Sequence, residues 1–191
     1  MKGSATQTRK DRAMSRSVYS VPSLIAPARW IAVLRVVVGL WFIKSLFTKV
    51  TIALAWGFLP VPAANSRWLA VMPKLLEKYA ADNPIAWYHE FLINTVIPNA
   101  HVFGHLTGLG EAAVGISLTF GFLTVLGSIG GLIEVFFYGM AVQHMSSGQQ
   151  GFHVMLFSMM VAFLFTRAGR QWGVDRWIVT RHPSSVWAKL G

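Results

Sequence analysis

The stretch 98–122, PNAHVFGHLTGLGEAAVGISLTFGF, is long enough to cross a lipid bilayer and carries polar groups that hydrocarbon disfavours. Glu111 lies near its middle, and His101 and His105 lie near its start. Three glycines share one helix face with Glu111 at about 100° per residue: Gly104, Gly108 and Gly115. Small residues let a second helix approach, so the Glu111 carboxyl is expected in a helix–helix interface. An ionisable side chain at that depth predicts a functional site.

The composition is typical of a membrane protein with several spans. Of the 191 residues, 54% are hydrophobic and 13% are charged. The absence of cysteine excludes thiol catalysis, disulfide exchange and thiolate-bound metal or iron–sulfur centres on this chain. The formal charge of +10 does not indicate nucleic-acid binding, because most basic residues lie in 1–29 and 167–191, flanking the apolar segments. The positive-inside rule places both ends in the cytoplasm and requires an even number of spans.

The hydropathy pattern predicts an all-α polytopic protein, a four-helix transmembrane bundle in a bacterial-type inner membrane. Residues 1–29 and 169–191 are expected to be basic cytoplasmic tails that flank a transmembrane domain over 30–168. Between spans one and two, residues 53–97 are expected to form an extracytoplasmic loop with interfacial helices, either a packed cap or a lid and docking surface. The four expected spans cover 30–52, 98–120, 125–144 and 152–166.

Two groups of polar side chains could carry chemistry. The first is a set of histidines near the outer ends of the spans: His101, His105, His144 and His153. In the second group, Glu111 and Glu134 lie at mid-depth, and Arg35 and Lys44 are expected to face them. Lys49, near the outer edge of span one, is expected to extend to the interface.

Three interpretations of these residues remain open. A quinone site needs an apolar slot with hydrogen-bonding groups at the ring oxygens and a titratable group, which histidine and glutamate provide. Aromatic residues such as Trp41, Phe103 and Tyr138 could line that slot. A metal or haem site is the second interpretation, because His101 and His105 have the i, i+4 spacing of paired ligands. The third is structural, with Glu–Arg pairs that hold the helices together.

Four stretches carry a resemblance to the DoxX/DoxD family of small four-span bacterial membrane proteins. They are LRVVVGLWFIKSLFTK (34–49), NPIAWYHEFLINTVIPNAHVFG (83–104), GEAAVGISLTFGFLT (110–124) and GRQWGVDRW (169–177). Their order and spacing most resemble the small quinone-facing subunit of thiosulfate:quinone oxidoreductase. The resemblance implies electron transfer from a sulfur compound to membrane quinone, with a partner subunit outside the membrane. It implies five family-pattern positions: Arg35, Lys49, Glu111, Arg170 and Asp175.

Together these observations predict a membrane redox subunit that passes electrons from a thiosulfate-like compound or a partner subunit to quinone. Glu111 and His105 are predicted to handle protons, and Arg35 to hold the carboxylate charge. No residue is assigned to a metal, and haem stays an alternative cofactor. The other interpretation is a non-catalytic anchoring or assembly subunit of a larger membrane complex. The residues predicted to bind the cofactor are His101, His105, Glu111, Glu134, Lys44, Tyr138, His144 and His153.

Overall fold

The computed structural model describes residues 27–191, and this part of the chain is mostly helical. The predicted tail over 1–29 lies almost wholly outside the described residues. The elements in chain order are α1 (Pro27–Thr48), β1 (Val50–Ala55), β2 (Leu59–Ala64), α2 (Ser66–Ala80), α3 (Ala86–Phe91), a π-helical turn (Leu92–Val96), α4 (Ala100–Phe120), α5 (Thr124–Val142), α6 (Ser147–Thr166), a 3-10 turn (Ala168–Arg170), α7 (Val174–Arg181) and α8 (Val186–Leu190).

Within the described residues, three helices are long and apolar enough to cross a membrane, namely α1, α5 and α6. They correspond to the predicted spans one, three and four, and they indicate a membrane protein. The predicted second span is also a long helix, α4, of 21 residues. It is not among the three, because His101, His105 and Glu111 lower its mean hydropathy. Length and composition thus give three spans where the sequence predicted four.

The four long helices share one core. Helix α1 packs along α4, and α5 packs against both α4 and α6. Glycines allow the α1–α4 approach, since a Cβ atom at Gly39 would overlap the backbone of Thr119 and one at Gly115 would overlap that of Ile43. The core between the helices includes the buried side chains Val38, Phe42, Leu118, Met160 and Phe163.

The segment that follows α1 corrects two expectations. Helix α1 ends at Thr48 rather than at residue 52, and the loop is not entirely helical. Residues 50–64 form an antiparallel β-hairpin that pairs from Val50↔Ala64 to Ala55↔Leu59. The β-branched run at 50–52 favours a strand, and Trp56 and Gly57 take positive φ values in the tight turn.

The remainder of the loop is helical and covers α4 and α5. Helix α2 begins after Asn65, whose side chain caps the helix by accepting a hydrogen bond of 2.8 Å from the Trp68 amide. The apolar face of α2 buries Met72 and Leu76. These side chains belong to a second core, shared with α3, the π-helical turn and the last turn of α5.

Hydrogen bonds fix which helix ends lie together. The Asp175 carboxylate, at the start of α7, accepts bonds of 2.7 and 3.0 Å from the amides of Leu123 and Thr124 at the α4–α5 turn. It also accepts a bond from the Thr124 hydroxyl. At the other end of α5, the Asn83 side-chain amide donates to the Met140 carbonyl at 3.1 Å. The C-terminal segment and the α2–α3 loop therefore contact opposite ends of α5.

Candidate functional site

An apolar cavity of about 390 Å³ lies between the loop helices and the helix pair α4 and α5. Helix α2 and the α3 region form one side, and α4 and α5 form the other. Most of its wall is aromatic or aliphatic, a composition typical of sites for small apolar ligands. Few polar side chains reach the wall: Tyr79, Tyr88, Thr107, Glu134 and Tyr138, together with the indole of Trp68.

A charged cluster lies directly behind the Tyr138 part of the wall. The Lys49 ammonium contacts the Glu111 carboxylate at 2.7 Å, and Lys49 and Glu111 are only 19% and 13% exposed. The Tyr138 hydroxyl donates to the same Glu111 oxygen at 2.7 Å, and Lys49 lies 3.5 Å from that hydroxyl. Charge-assisted hydrogen bonds of this length are strong, so they fix the direction in which the Tyr138 ring meets the cavity.

Glu134 has a different environment, although it lies only one turn before Tyr138 on α5. Its side chain lines the cavity, and its Oε2 atom is buried without a hydrogen-bond partner among the described residues. The other oxygen packs against Gly110, where a Cβ atom would overlap it. A buried polar atom without a partner is costly, so this carboxyl is the wall group that gains most from a polar ligand.

Trp68 joins the cavity, the charged cluster and the β-hairpin. Its ring lies 4.1 Å from the Lys49 ammonium, a cation–π contact, and its indole N–H donates to the Gly104 carbonyl at 2.9 Å. Asn65, which caps α2 beneath Trp68, also donates to the Thr48 carbonyl at 2.9 Å. These contacts therefore hold three segments together next to Lys49, namely the end of α1, the start of α2 and the part of α4 near Gly104.

Two phenols of the loop helices complete the polar part of the wall. Burial, and secondly the negative charge of Glu111, raises the pKa of Tyr79. Burial, with a smaller contribution from Tyr79, raises the pKa of Tyr88 to about 12. The Tyr88 hydroxyl donates to the Phe137 carbonyl at 2.8 Å and so holds α3 on α5. Both phenols are neutral hydrogen-bonding groups near neutral pH.

The structure does not bring Arg35 or Lys44 to either glutamate, which corrects the expected pairing. Lys44 is exposed and lies 4.4 Å from the ring of Trp41. Arg35 is fully buried towards the C-terminal segment, where Nη2 lies 3.5 Å from the Trp172 carbonyl. Lys49, expected to extend to the interface, instead forms the ion pair with Glu111.

Arg35 belongs to a separate polar cluster near the C-terminal segment. Its guanidinium packs against Gly121 and Gly173, and a Cβ atom at either position would overlap it. The negative charge of Asp175 attracts this guanidinium, and the Asp175 carboxylate accepts hydrogen bonds from the amides at the start of α5. Among the family-pattern positions, Lys49 and Glu111 therefore lie in one cluster, and Arg35 and Asp175 in the other.

The four histidines do not converge on the cavity. His101 is exposed, and its ring stacks 4.6 Å from that of His105 on the same helix. Nδ1 of His105 bonds to the His101 carbonyl, and Nδ1 of His153 bonds to the Gln149 carbonyl. The Nδ1 atom of His144 is buried without a partner among the described residues. In residues 27–191, no group of three or more histidine, aspartate or glutamate side chains is placed to hold a metal ion.

Three wall residues have contacts that sequence reasoning did not assign. The sequence predicted only that Trp68, Tyr79 and Tyr88 lie in a loop with interfacial helices. The Trp68 indole donates to the Gly104 carbonyl and the Tyr88 hydroxyl to the Phe137 carbonyl, and the charge of Glu111 contributes to the raised pKa of Tyr79. The aromatic content of the loop was the available signal, because tryptophan and tyrosine need a polar partner when they are buried.

No protein-family model, curated protein or solved structure matches this chain. The resemblance to the DoxX/DoxD family therefore stays a prediction from the four sequence stretches.

Proposed function

We propose that this chain is a membrane-embedded redox subunit of DoxX/DoxD type, and that the cavity beside Glu134 binds the ring of a membrane quinone. The observation that carries the proposal is an aromatic cavity of about 390 Å³ with one unpartnered carboxyl on its wall. Quinones have a flat apolar ring with an oxygen at each side, which suits aromatic walls and a few hydrogen-bonding groups.

Proton transfer is the chemistry that the wall offers. A quinone ring takes up two electrons and two protons when it is reduced to a quinol. The Glu134 carboxyl is the group that would hydrogen-bond to one ring oxygen and exchange a proton with it. The Tyr138 hydroxyl, held by Glu111, lies one helical turn away and offers a second polar contact.

Lys49 and Glu111 have a positioning role in this proposal. The two side chains form an ion pair and both contact the Tyr138 hydroxyl, so they orient the phenol and neutralise each other's charge. His105, predicted as the partner of Glu111 in proton handling, is not on the cavity wall. The proposed proton-handling pair is therefore Glu134 and Tyr138, with Glu111 behind them.

The electron donor is proposed from the sequence resemblance alone. A thiosulfate-like compound would be oxidised on an extracytoplasmic partner subunit, and the electrons would pass to quinone in this chain. The exposed polar side of α2, which carries Arg67, Lys74, Glu77 and Lys78, is the proposed docking surface. This arrangement also fits the alternative of an anchoring subunit, in which the partner docks and no quinone is used.

We further propose that α4 is a fourth span and that both termini are cytoplasmic in a bacterial inner membrane. Support comes from the packing of α4 between α1 and α5, which hides Glu111 in a helix interface. Support also comes from Asp175, which joins the C-terminal segment to the turn between α4 and α5. The basic residues of that segment favour the cytoplasmic side.

The test is the quinone content and the quinone-linked turnover of the purified full-length protein. In lipid discs prepared from native membranes, the wild-type protein is expected to hold more quinone than the surrounding lipid does. Glu134→Gln and Glu111→Gln should each lower turnover while the protein stays folded, and the exposed His101→Gln serves as control. Quinone content equal to bulk lipid, or full turnover in Glu134→Gln, would reject the quinone site. A protein recovered only within a stoichiometric complex, without quinone enrichment, would favour the anchoring subunit.

A further inference from the structure

The β-hairpin at 50–64, here called the outer hairpin, has an apolar surface that no other part of the described residues 27–191 covers. It contains no charged residue. At its turn, Trp56 is 83% and Phe58 76% exposed, and on β1 Ile52 is 74% and Leu54 63% exposed. Exposed apolar side chains that cluster in this way mark an interaction surface rather than ordinary surface variation.

The hairpin is one-sided. The half-buried face consists mainly of small residues, Ala53, Ala55 and Ala63, and the hairpin packs against α4. The opposite face carries Ile52 and Leu54 with their cross-strand partners, all of them exposed. The alanine-rich face of the hairpin thus packs on the protein, and the opposite face is exposed and apolar.

The outward edge of β2 is depleted of hydrogen-bond donors. Pro62 pairs with Ile52 and Pro60 with Leu54, and proline has no N–H group. The hydrogen bonds between β1 and β2 must then form at the alternate residue pairs. The two prolines therefore occupy positions at which an N–H group would point away from β1. An edge without those donors resists strand addition by another protein, which argues against a β-strand partner for the hairpin.

The neighbouring elements show which medium this is. The hairpin begins three residues after Phe47, which is 84% exposed near the end of the candidate span α1. Beyond the hairpin, α2 carries exposed charges at Arg67, Lys74 and Lys78. Apart from the exposed Lys44, the surface at the end of α1 is largely apolar. It continues onto the hairpin and stops where the charged helix α2 begins.

We propose that the outer hairpin inserts into the bilayer leaflet next to it, with phospholipid covering Ile52, Leu54, Trp56 and Phe58. Tryptophan at the turn suits the boundary between acyl chains and headgroups. This inference depends on the span at α1 and not on the redox function. Its failure would leave the quinone proposal untouched.

The test uses the absence of native cysteine, which makes single-site labelling clean. Leu54→Cys on the hairpin and Lys78→Cys on α2 each receive a nitroxide spin label in the full chain, in phosphatidylcholine discs. Collision with oxygen reports lipid, and collision with a neutral nickel chelate reports water. The label at 54 is expected to collide severalfold more with oxygen than with the chelate, and the label at 78 the reverse.

A second variant tests the aromatic turn. Trp56→Ser and Phe58→Ser are added to both labelled chains. They should raise chelate collisions at site 54 severalfold and leave those at site 78 unchanged. If this variant fails to fold, the comparison of sites 54 and 78 decides alone. Free access of the chelate to site 54 would show a water-exposed surface, and shielding from both agents would show a protein partner or a second copy. Either result would overturn lipid insertion.

Discussion

At the scale of single residues, the two glutamates Glu111 and Glu134 have different environments. Glu111 accepts hydrogen bonds from a lysine and a tyrosine, so its lone pairs are used within the protein. Glu134 lines the cavity with an oxygen that has no partner in the described residues. Since an unpaired buried carboxyl is costly, a ligand that contacts Glu134 recovers more free energy than one that contacts Glu111.

Gly110→Ala tests the position of Glu134 without changing any polar group. The new methyl would overlap the Glu134 carboxyl, which must move from its place on the wall. We expect quinone affinity to fall about tenfold, equivalent to about 1.4 kcal/mol, in a binding titration with a soluble quinone.

Gly151→Ala is the matched control for this substitution, since nothing lies within 4 Å of its added methyl group. It lies within α6 and should leave quinone binding unchanged, with thermal stability equal or higher by up to about 1 kcal/mol. Equal quinone affinity in both alanine variants would contradict the assignment of Glu134 to the ligand.

Lys49→Met and Lys44→Met compare the contributions of these two lysines, near the end of α1, to the free energy of unfolding. Removing Lys49 leaves Glu111 without its cation, so we expect a loss of about 2 kcal/mol in unfolding free energy. Removing Lys44 should change stability by less than about 1 kcal/mol, because it is exposed and its ammonium lies over the Trp41 ring.

Thermal unfolding in detergent measures both effects, and the double variant Lys49→Met/Glu111→Gln should recover part of the loss. Additive losses in that double variant would mean that the ion pair contributes nothing.

The choice between these lysines could not be made from the sequence. A helical projection places side chains only while the helix continues, and α1 ends at Thr48. Lys49 follows that end, where its backbone turns into the hairpin and its side chain reaches Glu111. Glu134 and Tyr138 lie inside one regular helix, where the 100° rule holds and places them on the same face.

At the scale of elements, the same limit explains the hairpin. A short apolar run has no periodicity that separates a strand from the last turns of a helix. Residues 50–52 were therefore predicted as the end of span one, although Pro60 and Pro62 and the turn at Trp56–Gly57 were available as signals of a hairpin. The long helices were easier, because sustained apolar segments of about 20 residues leave few alternatives.

The contact between α3 and α5 predicts a pH dependence. Burial raises the pKa of Tyr88 from its ordinary value of 10.0 to about 12, so the folded protein holds a proton that the unfolded chain releases earlier. This contribution to stability is complete below about pH 10 and falls as the pH rises through about 12.

Tyr88→Phe should therefore show a smaller loss of thermal stability between about pH 9 and pH 11.5 than the wild type. At pH 7 it should cost about 1 kcal/mol, because the hydrogen bond to the Phe137 carbonyl is lost. Identical alkaline losses in both proteins would assign the effect to other groups. Thermal unfolding scans of the two proteins in one detergent, at each pH, provide the comparison.

At the scale of the whole molecule, the contacts at the helix ends decide how the chain can cross a membrane. The Arg35 part of α1, the α4–α5 turn and the segment after α6 meet at one end through Trp172 and Asp175. The α2–α3 loop meets the C-terminal part of α5 at the opposite end, through Asn83. Helix α4 thus packs against two of the candidate spans, α1 and α5, and extends between the same two ends, although its own hydropathy is lower.

These contacts yield opposite predictions for three and four crossings. With four, the α5–α6 turn shares a side with α2, and the C-terminal segment lies across the membrane from both. If α4 does not cross, that turn and that segment exchange sides.

Single-cysteine variants Lys78→Cys, Gln149→Cys and Ser184→Cys report on α2, on the start of α6 and on the C-terminal segment, and all three positions are exposed. An impermeant maleimide added to intact cells should label sites 78 and 149 and spare site 184 until the membrane is opened. Labelling of 184 in intact cells with protection of 149 would show three crossings. Glu111 would then lie outside the bilayer, and a membrane quinone site at Glu134 would lose its basis.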